Sequence, residues 1–581
     1  MLHPEQIARL ARNQLEDDAK FQEHVKNNNE WPLMKYYTEV KDKAPHVLAA
    51  GVAACRDYIR QKGPTLDVPE LLKNDEKAAQ IRLAGNRFYK EKSYSEALKK
   101  YNECICWATT GSEHLAIGFA NRSALHYDTG EYELTLVNIM LAKKNNYPER
   151  LMPKLLAREA SCRERIDKGQ SRQSTMCTRF EMTIEKNPKI PCIAKGISMK
   201  MLPGYGRSLV AEKNFKTGDV ILNEKMIMAS VNSGSKFLSC NYCTSDSYHA
   251  LIPCPHCVSV MYCDEECLKK SLESNHRFEC GIVEKLNHIS YGHSYIGPRM
   301  LFFGLTLFRD DVQEMMDFCA KQEKLITDPF TLDCTEDDPM RDFKTFHRTK
   351  VLPIVLGMDY VIRYQAALYY TVFIKHPPVK TLFNSEARRH FMLQCLHDYM
   401  RTAFVLTTFQ TNDVSYQLHT FASLCNHSCI PNALALSAFG HLKLVVLCPI
   451  RKNQQITISY GPLFSENTDG VRARTLETME ITCLCDACNL SKREAWMASY
   501  RKPLNIPQNH LTMLSTVINN RDTNSAAKLN ALQQFIQRYG SVCPQQDLDQ
   551  AVQLFREILS ALFKGEAHVR YRQIAMRGAS T

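Results

Sequence analysis

The string Asn426-His427-Ser428-Cys429-Ile430-Pro431-Asn432 and, further on, Ile458-Ser459-Tyr460-Gly461 decide the fold of this chain. By residue chemistry alone the first string is a capped turn, because Asn and Ser side chains bond to nearby backbone, and it carries a cysteine able to ligate a metal. Downstream stands Cys483-x-Cys485-x2-Cys488, three thiols at metal-binding spacing that lack the fourth donor of a tetrahedral site. Upstream, residues 240–280 read CNYCTSDSYHALIPCPHCVSVMYCDEECLKKSLESNHRFEC. Their donors Cys240, Cys243, Cys254, Cys257, Cys263, Cys267, His276 and Cys280 suffice for two tetrahedral zinc ions. Four protein ligands per ion leave no open position for water, so these sites are structural. Asp264, Glu265 and Glu266 balance Lys269, Lys270 and Arg277, so the segment is not a phosphate-gripping patch.

The rest of the chain sets bounds. Its 581 residues, 44% hydrophobic, 23% charged and 9% aromatic, predict a folded chain of about four structural units. The longest apolar stretch, Val47 to Cys55, falls far short of the ~20 residues that span a bilayer. No apolar signal region follows Met1, so the expected setting is reducing, cytoplasmic and nuclear. The net charge of +11 is spread along the chain, and direct nucleic-acid binding is not expected.

In residue order the 240–280 cluster resembles the MYND zinc module. The resemblance implies interleaved sites, one of Cys240, Cys243, Cys263 and Cys267, the other of Cys254, Cys257, His276 and Cys280. The Asn426 and Ile458 strings, with Gly204-Tyr205-Gly206-Arg207 and then Gly218 and Glu224, resemble a SET domain split by that module. This is the arrangement of the SET and MYND domain-containing protein-lysine methyltransferases. The resemblance covers about residues 190–490 and implies S-adenosylmethionine as cofactor and a protein lysine as substrate.

Gly204, Gly206 and Arg207 would let the backbone approach the cofactor. Asn426 and His427 would contact its amino-acid and adenine parts, and Tyr460 would both contact the cofactor and be the catalytic residue at the transfer point. Cys429 would complete the site of Cys483, Cys485 and Cys488, making three zinc ions. The chemistry demands a neutral amine, although a free lysine has a pKa of about 10.4, and a narrow aromatic channel supplies this by desolvation. Two positions depart from the family pattern. Met479 and Ile481 replace the aromatic residues that usually wall the channel, and Asn453 replaces a glycine at a turn where Asn is tolerated.

Helical spacing with small and aromatic residues at matching places, Gly85, Phe88, Ala97 and Tyr101, then Asn121, Arg122, Ser123, Gly130, Tyr132 and Ala142, resembles tetratricopeptide repeats. Arg82, Asn86, Asn121, Lys154 and Arg158 then invite comparison with a clamp for the acidic carboxyl-terminal tail of heat-shock chaperones. The alternative for these residues is a solvated face whose asparagines cross-link the repeats.

The predicted architecture is α+β and multidomain. An N-terminal helical segment (1–70) precedes TPR-like repeats (75–165), a SET N-terminal part (190–237) and the MYND module (240–280). A helical insertion (285–405), the SET C-terminal part (406–465), a post-SET zinc segment (466–490) and a helical C-terminal domain (491–581) follow. The expected function is protein-lysine N-methylation of a histone or non-histone substrate. The rival is a weak or inactive adaptor that recruits partners, chaperones or transcriptional corepressors among them, through its repeat and MYND surfaces, the MYND module docking peptide partners. Scattered cysteines such as Cys55, Cys177 and Cys543 read as plain interior residues.

Overall fold

Small residues decide where the first helices meet. In the computed structural model, which describes residues 70–171 and 180–578 apart from 246–248, 291, 324, 326–327, 350–355, 410–413, 479–480, 521–522 and 543, five helices come first. They are α1 (Asp75–Lys90), α2 (Tyr94–Trp107), α3 (Glu113–Asp128), α4 (Tyr132–Lys144) and α5 (Met152–Asp167), each packed on the next. Asn74 and Ser112 cap α1 and α3 by accepting the N–H of Lys77 and Leu115. A methyl group on Gly85 would lie 2.8 Å from the Tyr101 ring, and one on Gly118 2.8 Å from Ile105, so close approach requires glycine at both places. The segment expected over 1–70 lies outside the described residues except for Glu70, as do Cys55, Cys177, Cys543 and Met479.

Twelve short strands follow among the described residues. They are β1 (Ile197–Leu202), β2 (Gly206–Ala211), β3 (Val220–Lys225), β4 (Met228–Val231), β5 (Ile252–Pro253), β6 (Met261–Tyr262), β7 (Thr407–Phe409), β8 (Ser415–Leu418), β9 (Asn426–His427), β10 (Ala433–Ala438), β11 (His441–Val446) and β12 (Thr457–Ile458). The hairpin β1–β2 turns at Pro203-Gly204-Tyr205. Strands from both sides of the insertion share sheets: β3 pairs antiparallel with β11, and β4 with β8. The pair β9–β12 is parallel, with Asn426 opposite Thr457 and His427 opposite Ile458.

The cysteine-rich module carries β5, β6, α6 (Glu265–Glu273) and α7 (His276–Glu279). Helices α8 (Val283–Ile289), α9 (Ile296–Leu307), α10 (Val312–Ala320), α11 (Pro339–Arg348), α12 (Leu356–Phe373), α13 (Pro377–Leu382) and α14 (Glu386–Leu406) build the insertion around its own aromatic core. After α15 (Asp469–Thr478) come α16 (Leu490–Tyr500), α17 (Gln508–Asn519), α18 (Ser525–Tyr539) and α19 (Gln546–Gly578). Leu529, Leu532 and Phe555 of this last group pack on Val220, Leu436 and Val445 of the β3–β11–β10 sheet. Gly218, at φ +88°, admits Gln533, whose amide donates to the Thr217 carbonyl at 2.8 Å.

One core joins the first helices to the cysteine-rich module: Ile105, Leu134 and Leu141 share it with Leu251, Ile252 and Met261. Arg122, wholly buried, crosses the seam. It donates to Asn138 Oδ1 at 2.6 Å, to Asn102 Oδ1 at 2.7 Å and to the Leu251 carbonyl at 2.9 Å. Asn102 and His126 reach the carbonyls of Phe237 and His249. This face of the module is therefore taken up by the chain's own helices. Elsewhere in the module Glu279 of α7 forms a buried, two-pronged pair with Arg299 of α9, which also donates to the Ala229 carbonyl of β4.

Candidate functional site

The site is stitched from segments far apart in sequence. Gly204 and Gly206 have φ of +77° and +72°, a region open to glycine and strained for other residues. Their turn leads into β2, where the Asn426 side chain donates to the Arg207 carbonyl at 3.1 Å and to Ser208 Oγ at 2.8 Å. Both amide protons of Asn426 are thus spent inside the protein, and its Oδ1 is left as an acceptor suited to a protonated amino group. The Arg207 side chain is half-buried, and burial lowers its pKa.

His427 holds Tyr460. Its Nδ1 accepts the Tyr460 backbone N–H at 3.0 Å, which places its proton on Nε2, 3.3 Å from Cys429 Sγ. Burial pushes its pKa down to about 4, so the ring is neutral at pH 7. With both nitrogens engaged, what the imidazole does is orient Tyr460 and Cys429. The Tyr460 hydroxyl donates to the Cys425 carbonyl at 2.6 Å, and burial raises its pKa above the usual phenol value, keeping it protonated.

Three residues that sequence reasoning missed, or named without a role, set this geometry. The buried Ser208 hydroxyl also accepts from Gln455 at 3.1 Å. The Asn432 side chain donates to the Gln455 carbonyl at 2.8 Å and accepts the Thr457 N–H at 2.9 Å, locking the two strings together. Glu224 accepts the backbone N–H groups of Thr420, Phe421 and Ala422 at 2.7–2.9 Å, fixing the turn that delivers Cys425. Glu224 and Asn432 stood inside the quoted motifs, but the partners they bind carry no local signal.

The structure brings twelve metal-ligating residues into three groups of four, with ligand atoms within 4.8 Å of one another in each. The groups are Cys240, Cys243, Cys263 and Cys267; Cys254, Cys257, His276 and Cys280; and Cys429, Cys483, Cys485 and Cys488. A tetrahedron with metal–sulfur bonds of about 2.3 Å has edges of about 3.8 Å. Observed edges include 3.6 Å for Cys243–Cys263, 3.4 Å for His276 Nε2–Cys254, 3.9 Å for Cys429–Cys483 and 3.6 Å for Cys429–Cys488. The donor chemistry and spacing fit a tetrahedral ion such as zinc. Asp264 caps α6 through the Cys267 N–H at 2.7 Å and so aims that ligand. Leu484, between two ligands of the third group, lies where a Gly204 Cβ would meet it, so the loop of that group rests on the glycine turn.

Ile481 joins the small core of the third group with Leu476 and Trp496. Asn453 occupies its turn at φ +69°. Among the described residues Cys448 is disulfide-bonded. Spacing marks clustered cysteines only and gives no sign of such a cross-link.

Among the helical residues singled out, Asn121 donates to Asn86 at 2.9 Å, tying α1 to α3. Arg158 donates to the Ala120 carbonyl at 3.1 Å and to Ser123 at 2.7 Å. Arg82 is half-buried on the same helix as Asn86, and Lys154 is exposed.

Comparison with known proteins gives a match of residues 206–461 to the SET domain family. The chain is 26% identical to Protein-lysine N-methyltransferase SMYD4 of Danio rerio over 36% of its own length and 30% of that relative. It is 21% identical to a SET and MYND domain-containing protein of Dictyostelium discoideum over 52% of the chain and 86% of the relative. It is 22% identical to Histone-lysine N-methyltransferase SMYD3 of Homo sapiens over 50% and 61% respectively. The matched stretch spans about a third of the SMYD4 relatives. The glycine turn and the stitched Asn-His string thus accompany a SET-domain match over residues 206–461 and a similarity of the chain to SET and MYND domain-containing proteins.

Proposed function

We propose that the protein is an S-adenosylmethionine-dependent protein-lysine N-methyltransferase. The observation that carries this reading is the convergence of the Gly204–Arg207 turn, Asn426 and Tyr460 through hydrogen bonds of 2.8–3.1 Å. The cofactor, when bound, supplies an electrophilic methyl group on a sulfonium. The two glycines leave backbone open to it, and Asn426 Oδ1 with Arg207 suits its amino and carboxylate ends. Tyr460, its O–H engaged in a hydrogen bond to the Cys425 carbonyl, keeps oxygen lone pairs that can orient an amine N–H. Burial around that phenol disfavours an ammonium, which is what a nucleophilic lysine needs.

Three structural zinc ions fit the three ligand groups. The first helices serve as tetratricopeptide-like repeats. A chaperone tail would meet Lys154, Arg158 and Arg82, with Asn86 and Asn121 already committed to one another. Peptide partners of the MYND module would use the face not covered by α2–α4. The protein works in cytoplasm and nucleus.

Calorimetry with S-adenosylmethionine followed by transfer of labelled methyl to a mixed protein extract tests this reading. The native chain should bind and transfer, and Tyr460→Phe should bind equally while transferring at least ~10²-fold more slowly. Binding without transfer by the native chain would support the adaptor reading. For the repeats, an acidic chaperone-tail peptide should lose affinity with Lys154→Ala, and unchanged affinity after that change with Asn121→Ala removes the clamp.

A further inference from the structure

A buried cation lies against the third ligand group. The Arg472 side chain, on α15, is 3% exposed. Its Nη1 donates to the Asn467 carbonyl at 2.7 Å, and its Nη2 donates to Asp469 at 2.7 Å and lies 3.9 Å from Cys488 Sγ. The guanidinium sits 4.9 Å from the centre of the Phe464 ring. The carboxylate that Arg472 touches is already shared: Asp469 is half-exposed and also pairs with Arg493. Two guanidinium groups and one carboxylate leave one positive charge, and it faces four thiolates that keep a net double negative charge around a divalent ion. Burying that centre without compensation is costly, and an N–H donated to a thiolate is a charge-assisted bond.

The same side chain reaches the active-site string. Phe464, beneath the guanidinium, donates its N–H to the Cys429 carbonyl at 2.8 Å, and Leu484 of the ligand loop rests on Gly204. We propose that Arg472 is a positioning residue and the counter-ion of the third metal centre. Its donation to the Cys488 thiolate holds the ion, and the ion holds the Cys483–Cys488 loop against the glycine turn. The inference rests on the reading that this group binds zinc.

The test uses the full chain loaded with zinc and compares native protein with Arg472→Met, Arg472→Lys and Asp469→Asn. Metal release to a chromogenic chelator is followed, and the cobalt-substituted proteins are compared by their sulfur-to-metal charge-transfer bands. Arg472→Met should release one of three equivalents ~10–100-fold faster and leave two unchanged. Its charge-transfer band should move to lower energy, because a thiolate that loses a hydrogen bond becomes a better electron donor. Arg472→Lys should fall between, and Asp469→Asn should stay within about twofold of native because the sulfur contact survives. Should Arg472→Met fail to fold, the other two variants still decide. Three equivalents with native release and an unmoved band in the Lys variant, or equal acceleration of all three equivalents, overturn the proposal alone. Retention of only two equivalents by the native chain overturns the third zinc site itself.

Discussion

Glu224 shows how one side chain can carry a site it never touches. Its carboxylate is 5% exposed, and burial pushes its pKa up from 4.5 to about 7, with Asp342 adding to the rise and three backbone N–H donors opposing it. A carboxyl raised in the native state binds its proton more tightly folded than unfolded. Its contribution to stability is therefore full below pH 4.5 and is lost as pH climbs through about 7. Glu224→Gln should flatten that window in denaturant melts taken between pH 4.5 and 7.5. It should also cost about 1–3 kcal/mol, because an amide N–H₂ then faces backbone donors. A native pH profile as flat as the variant's would show that Glu224 does not titrate there. Gly204 makes a second residue-scale case: Gly204→Ala meets both a left-handed φ, worth about 1–2 kcal/mol, and a clash with the Leu484 side chain. A clear drop in melting temperature is expected with zinc content retained, and an unchanged one would mean that the turn relaxes freely.

At the scale of elements, what could be read in advance was what chemistry writes locally. The cysteine spacings announced clusters of metal-type ligands because a tight turn aims neighbouring thiols inward, and Gly85 and Ala97 announced helix contacts because only small residues permit them. The strand pairings were not legible, since β9–β12 and β3–β11 depend on partners 31 and more than 200 residues away. Asn426 finds Ser208 across 218 residues, and no periodicity encodes that. Asn121 looked equally fit for a ligand clamp and for a cross-link, and only its 2.9 Å bond to Asn86 shows the cross-link. Asn432 is the sharpest case, a motif residue whose two bonds hold β9 to the β12 approach. Asn432→Ala should cost about 2–3 kcal/mol for two orphaned backbone groups. Amide exchange at Thr457 should rise well above that of the β3–β11 sheet. Uniform loss of protection would point to general destabilisation instead.

Across the whole molecule the cysteine-rich module is a keystone between two bodies of helix. Arg122 fastens it to α2–α4 through the Leu251 carbonyl, and Glu279, between the ligands His276 and Cys280, fastens it to Arg299 of α9. Structural zinc contributes an apparent ~10–16 kcal/mol in small metal-dependent folds, against a typical domain stability of ~5–15 kcal/mol. On the proposed reading that both ligand groups hold zinc, removal of the two ions should cost more than the shared core with the first helices supplies. Chelation should strip amide protection from Cys104–Trp107 and Leu134–Ala142 in step with Leu251–Tyr262. Helix α18, packed on a different sheet through Leu529 and Leu532, should remain protected, whereas α19, which also packs on α4, should lose part of its protection with it. Arg122→Ala should lower stability by about 3 kcal/mol through unpaired carbonyls and a cavity, and should lower the chelator concentration at which both segments open. If α2–α4 stay protected while the module opens, the helices fold by themselves and the shared core is a docking contact; if both open together, metal in the module governs the fold of the first helices.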